Sequence, residues 1–434
     1  MTRRCLVLSA SMGAGHDAVA GELARRLRAH GHEAHVHDVL ALLPAGTGPA
    51  LRVFYRTAVR RLPPLYTAIY RVFLASPPGD PQARDPQARG PLSLDPQARD
   101  PQALGPLSLD PQALGPQATH PEALDPEARC PEALGPEVPP HPDAPRPGAR
   151  AGPGRAAAGR ADTSPLAALA EGPLRALAAR LRPDVVVSTF HLAAQITGRM
   201  RERGTLGVPS AVYVTDFAVH RGWLHPGNDL YLCVSPGAAA AARAGTGRRT
   251  AAPGPVVPPA FHAVADAPHA EPPDPRRPTV LLSAGAWGVG SDLPRTARAL
   301  VRHGMRPVVL CGRDEGLRRR TARVPGAVAL GWTRDLPALM ASARLLVDNA
   351  AGQTAVQALA AGLPVVAYRP IPGHGADGVR RMAAEGLTTT AADLPSLLAA
   401  VSRLVPDGPA RSTAAARGRA LFRDDASVLL TALA

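Results

Sequence analysis

Apolar residues fall in short runs divided by small or polar residues. Cys5–Ser9 is a continuous apolar run of strand length, the pattern of a strand buried on both faces. The small-residue turn Ala10–His16 follows. Val19, Leu23 and Leu27 then recur at helical spacing up to Gly31, and His35–Asp38 reads as a second strand. Strand, small-residue loop, helix, strand is the βαβ pattern of a nucleotide-binding type of sheet. The alternation continues with strands expected at Pro183–Ser188, Ser210–Thr215 and Leu230–Val234. Ala252–Ala270 is rich in Pro and reads as a loop. Beyond it strands are expected at Thr279–Ser283, Pro307–Cys311, Ala327–Leu330, Leu345–Asp348 and Val365–Tyr368, with helices between. This order predicts an α/β chain of two Rossmann-like, doubly wound domains. Residues 1–76 and 161–255 would form the first, 77–160 an insertion, 256–275 a linker, and 276–434 the second.

Two segments break the alternation. In 51–75, apolar residues at 51, 54, 58, 62, 65, 69 and 73 step by three or four, as one helix face requires. Arg52, Arg56 and Arg60 step by four, and Pro63-Pro64 is expected to split the segment into two helices. From Pro81 to Pro136 a proline recurs every fifth residue, in units such as Asp-Pro-Gln-Ala-Arg. That spacing forbids a helix and leaves almost nothing to bury, so 77–160 is expected to be an extended, disordered pentapeptide-repeat insertion.

Charge sharpens this division. The 434 residues hold 49 basic against 35 acidic residues, a net +14, and every basic residue is Arg. The 77–160 segment has 8 Arg and 11 Asp or Glu, so the remainder carries +17. Such a body favours anionic partners, but no nucleic-acid recognition motif accompanies it, and no nucleic-acid partner is expected. The four cysteines lie far apart without a CxxC pair, which supports neither a zinc knuckle nor a disulfide scaffold. The Cys5–Ala10 run is too short for a signal peptide, and no apolar stretch approaches a membrane span, so a cytoplasmic or surface-bound protein is expected.

Three glycine-bearing loops follow expected strands: Gly13-Ala-Gly15-His16, Gly285-Ala-Trp-Gly288-Val-Gly290, and Asn349-Ala-Ala-Gly352-Gln-Thr354. Glycine lets the backbone approach a phosphate, and a helix start adds free N–H groups and the positive dipole end. None is a P-loop, because no Gly-Lys-Ser/Thr occurs. At Thr215-Asp216 a strand ends in a carboxylate, with His220 and Trp223 just beyond. A carboxylate at a strand end can serve as a general base or cap the next helix.

Together these segments resemble the family of monogalactosyldiacylglycerol synthases and processive diacylglycerol glucosyltransferases, related to the enzyme that forms lipid II. The resemblance rests on Ser9–His16, Thr215–Trp223 with Asp229-Leu-Tyr231, Gly285–Gly290, Cys311-Gly-Arg313, Ala360–Pro364 and Arg369–Gly373. It implies a GT-B fold, with two Rossmann-like domains facing a cleft. It implies an inverting glycosyltransferase moving a hexose from a nucleotide sugar, UDP-linked in most relatives, to a lipid acceptor such as diacylglycerol. The partners implied are that nucleotide sugar, the lipid and an anionic membrane surface, on the inner face of the cell membrane. No cofactor and no metal are expected. Asp216 would be the general base, and His16 in the acceptor loop would bind the acceptor or help deprotonate it. Gly285, Gly288, Gly290, Arg313, Gly352, Thr354, Gln357, Gly373 and His374 would hold the donor, with the helix dipole stabilising the leaving group. Gly15, His220 and Trp223 would face the acceptor, and Arg52, Phe54, Tyr55 and Arg56 the membrane.

The donor side departs from the family pattern. Asn349-Ala350-Ala351 stands where Lys-Pro-Gly is usual, and Gln357 where a Glu accepts hydrogen bonds from ribose. His374 and Gly375 replace Gln-Glu, and Trp287 replaces a small or acidic residue. A neutral Gln loses the charge-assisted strength of such bonds. The alternative is therefore a catalytically degenerate relative that binds lipid or nucleotide without transfer.

Overall fold

The computed structural model describes residues 1–71, 165–266, 276–290 and 292–434. The whole of the expected insertion, Phe73 and part of the expected linker lie outside the described residues.

The first lobe is built in the order β1 (Arg4–Ser9), α1 (Ala14–Ala29), β2 (Glu33–Asp38), α2 (Thr47–Arg61), α3 (Pro63–Ile69), α4 (Pro165–Leu181), β3 (Val185–Ser188), α5 (His191–Glu202), β4 (Ser210–Val214), β5 (Leu230–Cys233), α6 (Pro236–Thr246) and β6 (Arg249–Ala251). Its six strands pair in the order β2-β1-β3-β4-β5-β6, all parallel. After α7 (Pro259–Asp266) the second lobe follows with β7 (Thr279–Ser283), α8 (Leu293–Arg302), β8 (Arg306–Leu310), α9 (Glu315–Ala322), β9 (Val328–Leu330), α10 (Leu336–Ala341), β10 (Ala343–Asp348), α11 (Gln353–Ala360), β11 (Val365–Tyr368), α12 (His374–Ala384) and β12 (Thr389–Ala391). Its order is β12-β11-β10-β7-β8-β9, again parallel. The chain closes with α13 (Leu394–Leu404), α14 (Pro409–Arg419) and α15 (Ala426–Thr431).

The apolar runs behave as their pattern requires. β3, β4, β5 and β7 are buried at every residue, since helices cover both faces of a parallel sheet. On α1 the predicted stripe of Val19, Leu23 and Leu27 is 3%, 0% and 0% exposed, so that face is packed in the core. α2 and α3 separate at Leu62, as the Pro63-Pro64 step predicts.

Three of the elements that were not anticipated have a local physical reason. β6 and β12 are three-residue edge strands with little apolar signal. α7 lies within the stretch read as a loop. Pro259 opens this helix, where a missing N–H costs nothing, and Phe261 anchors it in the core. Through Val256, Val257 and Phe261 one cluster of buried apolar residues runs from the first lobe into the second. α15 returns to the first lobe and packs on α1, where Asp425 meets His30 at 3.1 Å.

Both sheets reverse strand order beside their first strand, between β1 and β3 and between β7 and β10. In open α/β sheets a ligand crevice forms outside the carboxyl ends of the strands at such switch points. The loops after these four strands are therefore where chemistry is expected.

Candidate functional site

The four switch-point loops open onto one cavity of about 1030 Å³ between the lobes, at the upper end of ordinary ligand sites. Among the expected site residues, Gly15, His16, Phe54, Tyr55, Asp216, His220, Gly285, Gly352, Thr354, Gln357 and His374 line it. Gly288, Gly290, Arg313, Gly373, Trp223, Arg52 and Arg56 are not among its lining residues.

The polar end is built from the first lobe. β1 delivers the loop that starts α1, and the Ser9 hydroxyl donates to Asp17 at 2.8 Å to tie that turn. His16 follows in the first turn. Its Nδ1 is 3.0 Å from the Thr189 carbonyl at the end of β3. A carbonyl only accepts, so Nδ1 carries the proton and the neutral ring keeps its lone pair on Nε2. Thr215 Oγ1, at the end of β4, is 3.3 Å from His16 Nδ1 and 3.3 Å from Asp216 Oδ1. One hydroxyl thus bridges imidazole and carboxylate. The Trp223 indole N–H donates to Asp216 Oδ2 at 2.9 Å, and His220 Nε2 stands 3.6 Å from the same oxygen. Trp223 is fully buried beneath the cavity, so it acts by holding Asp216 rather than by facing a ligand.

Burial works against the Asp216 charge, but His220, His374, His16 and the Trp223 hydrogen bond outweigh it and hold the carboxyl below its usual range. Burial also lowers His16, against the pull of Asp216. It lowers His220 to about 4 and drives His191 well below its ordinary value. At neutral pH the carboxylate is the charged member and these three imidazoles are neutral bases.

His191, at the start of α5, escaped sequence reasoning. It lines the cavity, with its ring 5.2 Å from His220 and 6.1 Å from Trp223. The only signal was positional: it follows the strand across the switch point from β1.

The second lobe supplies backbone and helix starts. Asp348, at the end of β10, accepts the N–H groups of Ala350 and Ala351 at 2.9 and 2.8 Å, which shapes the loop into α11. Gly352, Thr354 and Gln357 of that loop and helix line the cavity, as does His374 at the start of α12. Gly288 and Gly290 instead let loops pack on one another. Gly288 has φ 65°, and a Cβ there would lie 2.3 Å from Asp314 Cβ. A Cβ at Gly290 would lie 2.9 Å from Asn349 Nδ2, which donates to the Val289 carbonyl. Arg313 is stacked between Trp287 and Trp332, 5.6 and 4.6 Å from the ring centres.

The arginine row of α2 is not the free electrostatic face its spacing suggested. Arg52 pairs with Asp38 at 2.9 Å, Arg60 pairs with Asp314, and Arg56 lies 5.6 Å above the Trp287 ring. Carboxylates and an indole brought in by the fold engage all three. Beside these arginines α2 also exposes large apolar side chains, Val53 at 53% and Phe54 at 51%, followed by Leu62 at 47%. No helix among the described residues is long and apolar enough to cross a membrane.

Comparison with known proteins agrees with this geometry. The architecture is the GT-B fold, two parallel six-stranded sheets with flanking helices. MurG of Acinetobacter baumannii superposes with a TM-score of 0.51 at 13% identity, covering 100% of this chain and 99% of that one. The glycotransferase of kitacinnamycin superposes at 0.55 and 14% identity, with the same coverage. At the sequence level, the profile of the monogalactosyldiacylglycerol (MGDG) synthase family matches residues 157–253. The processive diacylglycerol beta-glucosyltransferase of Staphylococcus carnosus is 25% identical over 240 residues, 52% of this chain and 60% of that protein. The chain thus aligns with about three fifths of the length of that relative. The resemblance read from the residues is borne out.

Proposed function

We propose that this protein is a hexosyltransferase that moves a sugar from a nucleotide diphosphate to the hydroxyl of a lipid such as diacylglycerol. The observation carrying the reading is the shared cavity. A base and a carboxylate from one lobe face glycine-bearing helix starts from the other. Apolar residues of α2 and α4, among them Leu51, Phe54 and Leu166, line another part of it. A diphosphate suits the helix starts, and a lipid suits the apolar wall.

His16 Nε2 is the atom best disposed to take the acceptor proton, because Nδ1 is committed to Thr189. Asp216 is held ionised with Thr215 and Trp223 on its two oxygens, so it answers the imidazolium charge through the Thr215 hydroxyl. The acceptor oxygen then bonds to the anomeric carbon with inversion as the carbon–oxygen bond to the diphosphate breaks. The electron pair leaves on the diphosphate, stabilised by the start of α11 and the Gly285 loop. This chemistry asks for no metal and no cofactor. The exposed Val53, Phe54 and Leu62 suit shallow insertion at the inner membrane surface, with the arginines spent on internal partners.

The test is transfer from UDP-glucose or UDP-galactose to diacylglycerol in phospholipid vesicles, with GDP- and TDP-sugars as alternatives. Product that collapses in His16→Ala supports the reading. Nucleotide binding without product from any donor would instead identify a degenerate binding protein, which the neutral Gln357 favours.

A further inference from the structure

The helical pair α2–α3 belongs to the acceptor lobe, where α2 packs on the short turn after β2. Yet four of its side chains end on the donor lobe. Arg56 lies over Trp287 after β7, and Arg60 pairs with Asp314 after β8. The Tyr66 hydroxyl is 2.6 Å from His374 Nδ1, and the Tyr70 hydroxyl donates to Asp377 Oδ2 at 2.9 Å, both in the first turn of α12. Three loops at the carboxyl end of one sheet are thus tied to one helical pair of the other lobe.

The tyrosine ties are the most specific. Tyr66 and Tyr70 lie one turn apart and are 7% and 3% exposed. Their rings close over Gly373, where a Cβ would sit 3.2 to 3.4 Å from ring carbons and φ is 83°. That glycine lets the loop pass under both rings to deliver His374 to the cavity. A buried tyrosine keeps its proton, and burial does raise both hydroxyls. When the Tyr66 hydroxyl donates to Nδ1, His374 keeps its proton on Nε2 and becomes a hydrogen-bond donor of fixed orientation.

We propose that Tyr66 and Tyr70 are positioning residues for the donor sugar, contributed by the acceptor lobe through His374 and the first turn of α12. This rests on the reading that the cavity takes a nucleotide sugar. Its consequence is that sugar affinity depends on where α3 sits, so a lipid or membrane that displaces α3 changes donor binding without touching the donor.

The test is calorimetry on the full chain with UDP-glucose and with UDP alone, for the wild type, Tyr66→Phe, His374→Ala and the double variant. Loss of one neutral hydrogen bond predicts UDP-glucose binding weakened about two- to tenfold in Tyr66→Phe, with UDP binding unchanged. His374→Ala loses at least as much, and adding Tyr66→Phe to it costs nothing more. Equal weakening toward both ligands, or additive losses, would reduce Tyr66 to a packing residue and overturn the proposal. Hydrogen exchange of residues 369–378 without ligand separates the two readings. Faster exchange in Tyr66→Phe is expected, and unchanged exchange overturns the tie itself. A wild type blind to UDP-glucose and to UDP would sink the nucleotide-sugar reading, and this role with it, even if exchange quickens.

Discussion

The buried histidines make the fold acid-labile in a defined window, and His220 is where the magnitude can be worked. Its ring is 4% exposed, its Nδ1 has no hydrogen-bond partner among the described residues, and burial lowers it from 6.5 to about 4 against the pull of Asp216. A group lowered in the folded state binds its proton more readily in the unfolded chain. Stability from this residue is therefore complete above pH 6.5 and is lost as pH falls from there toward 4. Between pH 7.5 and 5, His220 alone removes about 2 kcal/mol, a sizeable part of the roughly 5–15 kcal/mol typical of a fold. His220→Gln cannot take up that proton. Urea unfolding of both proteins at pH 7.5 and 5 gives the comparison, with the wild type expected to lose about 2 kcal/mol more than the variant across the step. His16 and His191 still titrate in both proteins and cancel in the difference. Parallel losses would mean that His220 is protonated or solvated in the folded state, and would refute the neutral imidazole cluster.

Other outcomes follow from single contacts. Gly288→Ala places a Cβ 2.3 Å from Asp314 at φ 65°, so it is expected to cost about 2 kcal/mol or more in urea unfolding. Ala351 sits at φ 52°, where a side chain is strained by about 1 kcal/mol. Ala351→Gly is therefore expected to leave the melting temperature unchanged or slightly raised, and a fall of several degrees would show that this backbone is not strained. For the membrane reading, Phe54→Ser should reduce co-sedimentation with anionic vesicles, whereas Arg52→Gln with Arg60→Gln should leave it near wild type. The reverse result would restore the arginines as the anchor.

Much of this was legible in the chain because a parallel sheet writes itself plainly. Cys5–Ser9 and Ser210–Val214 are apolar runs buried at every residue, and the loops after them carry glycine or a strand-end carboxylate. Asp216 and His16 stood out for that reason. Edge strands such as Thr389–Ala391 are short and half solvated, so no run marks them. His191, the Tyr66–His374 tie and the inward turn of the arginine row were not readable, because each depends on partners far away in sequence. Tyr66 and His374 are 308 residues apart. Spacing along α2 showed one face but not which residues would meet it.

The central claim is that His16 and Asp216 form one proton-accepting unit facing a nucleotide sugar. The most direct measurement is initial-rate hexose transfer to diacylglycerol in vesicles by the wild type, His16→Ala, Asp216→Asn and the pair. Groups acting as a unit predict that each single variant loses at least about a hundredfold and that the double variant is hardly slower than the His16 variant. Transfer that survives His16→Ala near the wild-type rate, with UDP still bound, would contradict the account.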